Sequence, residues 1–402
     1  MEHGAKINMA EVRERKRKMV AGLVDVHLDL YKNSGAELIM GSGRFVAPKT
    51  IEVKSAENRT RLLLGKHVVI NTGTHATIDA TPGLREANPL THIEALELDR
   101  VPEHLIILGG GFVGLEFAQA MRRFGSHVTV IDRNARLVHG EDQDVSDALL
   151  QLFQDEGINV VTNARIARLQ GKSSESVKLS IQHDGSNLVL EGTDLLVAAG
   201  RTPNTNGIGL EVAGVEKTDH GYIKVNERLE TTAPGVWAAG ECAGSPHFTH
   251  ISENDFHIVH DNILGGHRVT TGRQVPFCIF TDPEFARIGL SETEAKARGV
   301  SYRLAKIPLL AILRARSLTQ TRGFMKALID TKNDRILGFA AVAVEAGEVM
   351  ATVQVAMIAG LPYTSLRDAI FTHPTMAEGL IPLFSSVVQM PVPASEAQAV
   401  RA

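Results

Sequence analysis

The chain has 402 residues, 44% of them hydrophobic and 22% charged, and is long enough to bury the cores of two or three domains. Its net charge of −4 excludes the global basic field that holds nucleic acid or an anionic membrane. A charged N-terminus without the apolar core of a signal peptide, and only two cysteines, predict a cytoplasmic protein without a disulfide framework.

In chain order, the first predicted element is a helix over residues 11–32, where apolar side chains recur at helical spacing. The basic run at 13–18 beside them favours a solvated helix face over a nucleic-acid contact. Short apolar runs between glycine and proline residues predict strands within 36–54 and 67–73. The segment ATPGLREANPL at 80–90, with two prolines, predicts a connector, and a domain boundary is expected near 81–101.

Later elements follow the same signals. Asp184-Gly185 lies between two apolar runs and predicts a tight hairpin turn. A helix is expected over 250–266, and another is framed by a Ser291/Glu294 capping box and by Gly299. An apolar stretch at 336–361 is interrupted by two glutamates, which favours a buried strand and helix over a membrane span.

A glycine motif directly follows the apolar strand predicted at 104–108 and opens a helix. Gly109, Gly111 and Gly114 form G-x-G-x-x-G, which permits a tight turn, close approach of backbone N–H groups to a pyrophosphate, and close helix–strand packing. Asp132 ends the next predicted strand, where a carboxylate can accept hydrogen bonds from adenosine ribose hydroxyls. This context predicts a dinucleotide site rather than a glycine-rich turn without a ligand.

The coenzyme predicted for this site is NAD, because the Asp132 carboxylate would repel a 2′-phosphate. Arg133 and Arg136 stand nearby and leave NADP possible.

Six motifs, in order, resemble those of the pyridine nucleotide-disulphide oxidoreductases, the flavoprotein family of dihydrolipoamide dehydrogenase, glutathione reductase and mercuric reductase. They are NTG at 71–73, GGGFVGLE at 109–116, AAGRTPNT at 198–205, TTAPGVWAAGE at 231–241, FTDPEFARIGLSE at 280–292 and HPTMAE at 373–378. The resemblance implies an α/β fold, with a Rossmann-type NAD domain inserted in a partial FAD domain and an α+β dimerisation domain. The implied segments are 1–97 (partial FAD domain), 98–205 (NAD(P) domain), 206–272 (second part of the FAD domain), 273–388 (dimerisation domain) and 389–402 (tail).

The resemblance also implies two sets of cofactor residues. The flavin set is Gly43, Thr72, Gly73, Glu241, His247, Phe248 and Thr249. The nicotinamide set is Gly109, Gly110, Gly111, Phe112, Val113, Gly114, Leu115, Glu116, Asp132, Ile166 and Gly200. Glu241 stands where the family normally has an Asp that holds the ribityl chain of the flavin. The carboxylate acceptor is therefore retained, but the extra methylene group of Glu shifts its position.

The family also has an earlier glycine motif, for the ADP part of FAD, and a helix with two redox cysteines four residues apart. On the resemblance this chain begins after both, so FAD binding is expected to be weakened or lost. Cys242 and Cys278 are 36 residues apart and are expected to be small buried hydrophobes.

In the family, the His of the HPT motif reaches across the dimer to the thiols and a downstream Glu orients it. His373 and Glu378 are thereby implied as a general acid–base pair. The alternative is structural, because Thr375-x-x-Glu378 also reads as a capping box. No metal site is expected, although His247, His250, His257 and His260 lie close in sequence.

The implied function is that of a homodimeric, NAD(P)H-dependent FAD oxidoreductase that passes electrons to a small-molecule disulfide, a metal ion or a quinone. No nucleic-acid or membrane partner is expected. The alternatives are a non-catalytic NAD-binding dimer and a flavin reductase that works without a redox disulfide.

Overall fold

A computed structural model of the protein describes residues 7–388; the tail predicted at 389–402 lies outside this range. The chain divides into two compact units, Met1–Ala135 with Glu156–Arg273, and Arg136–Asp155 with Gln274–Ala402. Residues 136–155, expected within the NAD domain, thus cluster with the second unit. The α/β fold class is confirmed, whereas the domain boundaries stay a prediction. No helix within 7–388 is long and apolar enough to cross a membrane.

The strands alternate with helices along much of the chain. The strands are β1 (Ser42–Ala47), β2 (Thr50–Lys54), β3 (Thr60–Leu64), β4 (Val68–Ile70), β5 (Thr74–Ala76), β6 (His104–Leu108), β7 (His127–Ile131), β8 (Asn159–Val161), β9 (Ala164–Lys172), β10 (Ser176–His183), β11 (Ser186–Gly192), β12 (Asp194–Val197), β13 (Arg201–Pro203), β14 (Val236–Ala238), β15 (Phe277–Ile279), β16 (Glu284–Gly289), β17 (Tyr302–Pro308), β18 (Phe324–Asp330) and β19 (Ile336–Ala343). The helices are α1 (Met9–Ser34), α2 (His92–Ala95), α3 (Phe112–Phe124), α4 (Gln143–Asp155), α5 (Thr249–Ile263), α6 (Glu292–Ala297), α7 (Leu313–Ser317), α8 (Ala346–Ile358), α9 (Thr364–Arg367) and α10 (Leu380–Ser385).

A four-stranded parallel sheet lies in the first unit, in the order β12-β6-β7-β8. Its register pairs Leu108 with Ile131 and with Val197, so the carboxyl ends of three strands meet at one edge. The β6 residues Leu105, Ile106 and Ile107 are fully buried, as expected for a central parallel strand. Ligands of open parallel sheets bind at this carboxyl edge.

Two small pairings complete the frame of the first unit around its motifs. Strands β4 and β14 are parallel, with Ile70 opposite Ala238. Strands β5 and β13 are antiparallel, with Ala76 opposite Arg201. The segments that follow β4 and β14 therefore leave the same edge.

The predicted hairpin is confirmed between β10 and β11. Asp184 and Gly185 have φ values of 45° and 78°, as a tight turn with two left-handed residues requires. The capping box on α6 is confirmed as well: Glu294 N–H donates to Ser291 Oγ at 3.0 Å, and the Ser291 N–H donates to Glu294 Oε2 at 2.9 Å. One strand prediction is wrong, because residues 36–40 form no strand and β1 begins at Ser42, where β2 supplies a partner.

Helix α1 confirms the first predicted element and is held mainly through its basic side. Arg13 and Arg17 form ion pairs with Asp99 and Glu97 at 3.0 and 2.6 Å. Met9 is its one buried residue among those described. Its other large apolar side chains are exposed: Val12, Met19, Val20, Leu23, Val24, Val26, Leu28, Leu30 and Tyr31.

The second unit is built on an antiparallel sheet in the order β15-β16-β19-β18-β17. Its core joins apolar residues of β16, β18 and β19 to those of α8 and α10, among them Phe339, Val353 and Leu383. Lys326 interrupts the apolar strand β18, and its side chain is 1% exposed. It donates to Asp142 at 2.8 Å, to Asp144 at 2.7 Å and to Glu292 at 3.1 Å.

Candidate functional site

The glycine turn after β6 gives each of its three glycines a different role. A Cβ on Gly109, whose φ is 112°, would lie 2.5 Å from the Ala198 carbonyl oxygen. A Cβ on Gly114 would lie 2.0 Å from the Gly109 carbonyl oxygen, so helix and strand need glycine there. A Cβ on Gly111 would meet nothing within 4 Å. That open space, at the N-cap of α3, is where a pyrophosphate can approach the backbone.

Asp132 ties the end of β7 to this turn. Its Oδ2 accepts from Gly110 N–H at 2.6 Å, and its Oδ1 accepts from the backbone and side-chain nitrogens of Asn134 at 2.7 and 2.8 Å. A carboxylate has about four acceptor sites, so capacity for one further hydroxyl remains. Nearby, Arg133 is exposed. Arg136, within the second unit, donates to Gln143 and to the carbonyls of His139 and Glu141.

The predicted residues on and near α3 differ in exposure. Val113 is exposed and Glu116 is half-buried, whereas Leu115 is fully buried. Ile166, on β9, packs against the core cluster of Leu108 and Ile131. The side chains of Leu115 and Ile166 therefore belong to the core beneath the turn.

An aromatic stack joins the two predicted cofactor sets. The ring of Phe112, the first residue of α3, stacks on Phe248 with centroids 6.0 Å apart and planes 23° apart. Phe248 in turn stacks on His250 at 5.3 Å. Since Phe248 precedes α5, which begins at Thr249, the nicotinamide set and part of the flavin set lie side by side in the first unit.

The segment after β4 is fastened to the segment after β14. Asn71 Nδ2 donates to the Ala239 carbonyl at 2.7 Å. The N–H of Gly240, whose φ is 71°, donates to Asp255 at 2.7 Å, and this fully buried carboxylate is paired with Arg273 at 2.5 Å. The turn that carries Glu241 is therefore fixed on both sides.

Thr72 and Gly73 form the other wall of this junction. The Thr72 hydroxyl donates to the Asn204 carbonyl at 2.8 Å, and Asn204 Nδ2 donates back to the Thr72 carbonyl at 2.8 Å. Gly73 has φ 65°, and a Cβ on it would meet nothing within 4 Å, so the backbone there is open to a ligand.

Glu241 accepts hydrogen bonds from the Thr74 hydroxyl and from Arg201 Nε, the latter at 3.3 Å. Burial by itself raises the pKa of Glu241, but the Thr74 hydrogen bond and the Arg201 charge outweigh it and hold the pKa below its ordinary value. Glu241 is therefore ionised at neutral pH and acts only as an acceptor.

Three other predicted cofactor residues are exposed. Gly43 lies exposed in β1 opposite Val53, and Gly200 follows β12 with φ 136°. His247 is exposed, with its ring 6.3 Å from that of Tyr222.

Sequence reasoning missed four residues of the junction: Thr74, Arg201, Asn204 and Asp255. Arg201 and Asn204 stand inside the motif at 198–205, and Thr74 adjoins Gly73, so proximity to a motif was their only signal. Asp255 carried no signal beyond its place in a predicted helix.

His373 and Glu378 meet in the second unit. The His373 Nδ1 lies 2.8 Å from Glu378 Oε2, and the imidazole is 65% exposed. Glu378 N–H donates to Thr375 Oγ1 at 3.3 Å, so the Thr half of the capping box is present while the Glu carboxylate binds the imidazole. This contact occupies Nδ1 and leaves Nε2 as the ring nitrogen that does not face Glu378.

The described residues bring together one group of metal-ligand type, Asp142, Asp144 and Glu292, with oxygens within 4.8 Å of one another. The ammonium of Lys326 already binds all three. Of the four histidines close in sequence, His257 and His260 lie against the ring of Phe256.

Both cysteines are free thiols. Cys242 is fully buried, as predicted, and its thiol lies 3.4 Å from the Ala239 carbonyl and 3.5 Å from the Ile70 carbonyl. Cys278 is half-buried, which is more exposed than predicted.

Comparison with known proteins identifies the family of the chain. Residues 4–255 match the family described as pyridine nucleotide-disulphide oxidoreductase, and residues 275–382 match its dimerisation domain. The chain is 36% identical to the probable pyridine nucleotide-disulfide oxidoreductase RclA of Escherichia coli over 87% of this chain and 79% of that protein. It is 32% identical to the mercuric reductase of Bacillus cereus over 93% of this chain and 59% of that protein.

Among solved structures, the chain is similar to a Cu(II) complex of the flavoprotein disulfide reductase RclA from Escherichia coli. The TM-score is 0.88 and the identity 34%, over 94% of this chain and 85% of that one. The chain belongs to the pyridine nucleotide-disulphide oxidoreductase family, whose members use FAD and NAD(P)H, and it is an oxidoreductase that carries the family's dimerisation domain.

Proposed function

We propose that the chain, as a homodimer, takes electrons from a reduced nicotinamide through FAD and delivers them to a metal ion. The observation that carries this proposal is the stack of Phe112 on Phe248, which sets the glycine turn beside the predicted flavin residues. The residues present fit both cofactors, since Gly111 and Gly73 leave open backbone and Asp132 keeps acceptor capacity. When bound, the nicotinamide supplies a hydride and FAD supplies an acceptor that can release electrons singly.

The chain's own residues have three tasks in this scheme. The glycine turn binds the pyrophosphate through backbone N–H groups, and Asp132 orients the adenosine ribose. Glu241 and the Gly73 backbone hold the flavin. His373, with Nδ1 tied to Glu378, presents Nε2 as the group that takes up the released proton.

A metal ion is favoured as acceptor over a disulfide for two reasons. Relatives are named mercuric reductases, and the solved structures of RclA include Cu(II) complexes both of the protein and of a cysteine-to-serine variant. Among the described residues, Cys242 lies beside the Glu241 turn but is fully buried. Its thiol therefore cannot reach a disulfide substrate in solvent to exchange with it. The balanced reaction is NADH + 2 Cu(II) → NAD⁺ + H⁺ + 2 Cu(I).

The test is a visible absorption spectrum of the purified chain, recorded without oxygen after successive additions of FAD, NADH and Cu(II) with a Cu(I)-specific chelator. We expect a flavin band that NADH bleaches and Cu(II) restores, with two Cu(I) formed per NADH. The same additions without protein are the control. Bound flavin that NADH fails to bleach would contradict the proposal, and bleaching without recovery on Cu(II) would move the acceptor to a quinone or a disulfide.

A second candidate is a non-catalytic NAD-binding dimer. It is favoured by the contrast between the well-formed glycine turn and the exposed positions of Gly43, His247 and Thr249. NADH binding by a protein that retains no flavin band after excess FAD is removed would support this candidate instead.

A further inference from the structure

The two carboxylate oxygens of Glu241 have different surroundings. Oε2 accepts from the Thr74 hydroxyl and from Arg201 Nε at 3.3 Å. Oε1 accepts no hydrogen bond from any residue between 7 and 388, and 26% of the side chain is exposed. One oxygen is thus fixed by the protein while the other is left for a donor from outside the chain.

Two strands fix the occupied oxygen. Arg201 Nε donates to Thr74 Oγ1 at 2.5 Å, and Arg201 Nη2 donates to the Thr74 carbonyl at 3.1 Å. Because the Thr74 hydroxyl accepts from Arg201, its single proton is directed to Glu241. The antiparallel pairing of β5 and β13 holds both donors in place.

A carboxylate that only stabilises the fold looks different in the same unit. Asp194 is fully buried, and Arg100 donates to both of its oxygens, at 3.1 and 2.6 Å. Thr193 adds a hydrogen bond to one oxygen at 2.8 Å. Glu241 departs from this pattern by leaving one oxygen without a donor and partly open to solvent.

We infer that Arg201 and Thr74 are positioning residues that hold Oε2 of Glu241 and thereby present Oε1 to a hydroxyl of the flavin ribityl chain. The inference rests on the proposed function, because it requires a bound flavin. The extra methylene of Glu, relative to the Asp usual in the family, lets one oxygen reach the β5–β13 pair while the other stays unoccupied. Shortening the side chain would withdraw one contact or the other.

The test measures the Kd of FAD, by quenching of flavin fluorescence, for the wild type, Glu241→Gln, Arg201→Lys, Thr74→Val and the double variant Arg201→Lys/Glu241→Gln. Arg201→Lys keeps the charge and removes the planar guanidinium whose Nε and Nη2 donate to Thr74. Loss of a hydrogen bond to a charged group predicts that Glu241→Gln and Arg201→Lys each raise the Kd about tenfold, and Thr74→Val about threefold. Arg44→Lys is the matched control, because Arg44 pairs with Glu52 at 2.7 Å on the β1–β2 hairpin.

The decisive result is the double variant. If Arg201 acts through Glu241, the double variant binds FAD no more weakly than Glu241→Gln alone, while its Tm without FAD and its Kd for NADH match those of Arg201→Lys. Additive losses, or single variants that bind FAD as tightly as the wild type, would overturn the inference. FAD that binds as described but is not bleached by NADH would contradict only the proposed function; a wild type that binds no FAD would overturn both.

Discussion

The side chain of Lys326 in the second unit is 1% exposed and its amine donates to three carboxylates, whereas the side chains of Arg201 and Glu241 in the first unit are each about a quarter exposed. In the Lys326 group, Asp142 further accepts from the backbone N–H groups of Glu292 and Thr293, at 3.0 and 2.9 Å. Burial alone would raise the pKa of Asp142, but the hydrogen bonds from Lys326 and the Thr293 hydroxyl, together with these N–H groups, hold it well below its usual range. A buried charge that is fully hydrogen-bonded stabilises the fold, whereas an acceptor oxygen without a donor is available to a ligand.

The largest effect should come from removing the Lys326 amine from its three carboxylate partners. Lys326→Met leaves three carboxylates without their shared cation, and we expect a loss of about 3–5 kcal/mol in unfolding free energy. Urea denaturation measures it, with Lys296→Met on the exposed side of α6 as the control. A loss below about 1 kcal/mol would show that the carboxylates find other partners or solvent. The Kd of FAD should not change once both proteins are compared under folding conditions.

A smaller effect concerns how the stability of the second unit depends on pH. Burial raises the pKa of Glu141 to about 7, against the opposing charge of Arg287 at 2.8 Å. When the pKa of a carboxyl group is higher in the folded protein than in the unfolded one, its contribution to stability is complete below the pKa of the unfolded state. That contribution is lost as the pH rises through 7. The wild type should therefore lose about 2 kcal/mol from this group between pH 5 and pH 8.

Thermal unfolding of Glu141→Gln over the same pH range tests this expectation. The Glu141→Gln variant should lose about 2 kcal/mol less stability than the wild type between pH 5 and pH 8. Glu211→Gln, at an exposed position of the first unit, should show the same loss as the wild type. Equal slopes for Glu141→Gln and the wild type would mean that Glu141 does not titrate in this range. Because the opposite pKa direction holds for Asp142, its contribution is lost only at acid pH, as the carboxylate is protonated.

The smallest effect distinguishes fold from ligand within one motif. Gly111→Ala adds a methyl group where nothing of the protein lies within 4 Å, so the Tm should stay unchanged while the Kd of NADH rises about tenfold. Gly114→Ala places its methyl against the Gly109 carbonyl at 2.0 Å and should lower the Tm instead. Wild-type NADH affinity in Gly111→Ala would mean that the pyrophosphate does not approach this turn.

The glycine turn could be predicted from the sequence because its parts are local. The strand, the three glycines and Asp132 lie within 29 residues, and each has a requirement that residue type reveals. The hairpin at Asp184 was predictable for the same reason. Residues 36–40 look like a strand by composition but have no pairing partner, which composition does not show.

The contacts that complete the candidate site could not be predicted in this way. Thr74 and Glu241 are 167 residues apart, and their contact depends on the register of β5 with β13. Likewise, Lys326 meets Asp142 across 184 residues, which places α4 with the second unit. A lysine within the apolar strand FMKALID was the one trace of that group in the sequence.

The burial of Cys242 has a consequence for oxidative chemistry. Sulfenic acid formation and alkylation both need a thiolate that the reagent can reach, and this thiol is fully enclosed beneath the Glu241 turn, within reach of two carbonyls. Oxidants that inactivate proteins through exposed cysteines therefore meet only Cys278 at the surface of the folded chain. Within residues 7–388, the thiol beside the Glu241 turn is thus shielded from such reagents by the fold itself.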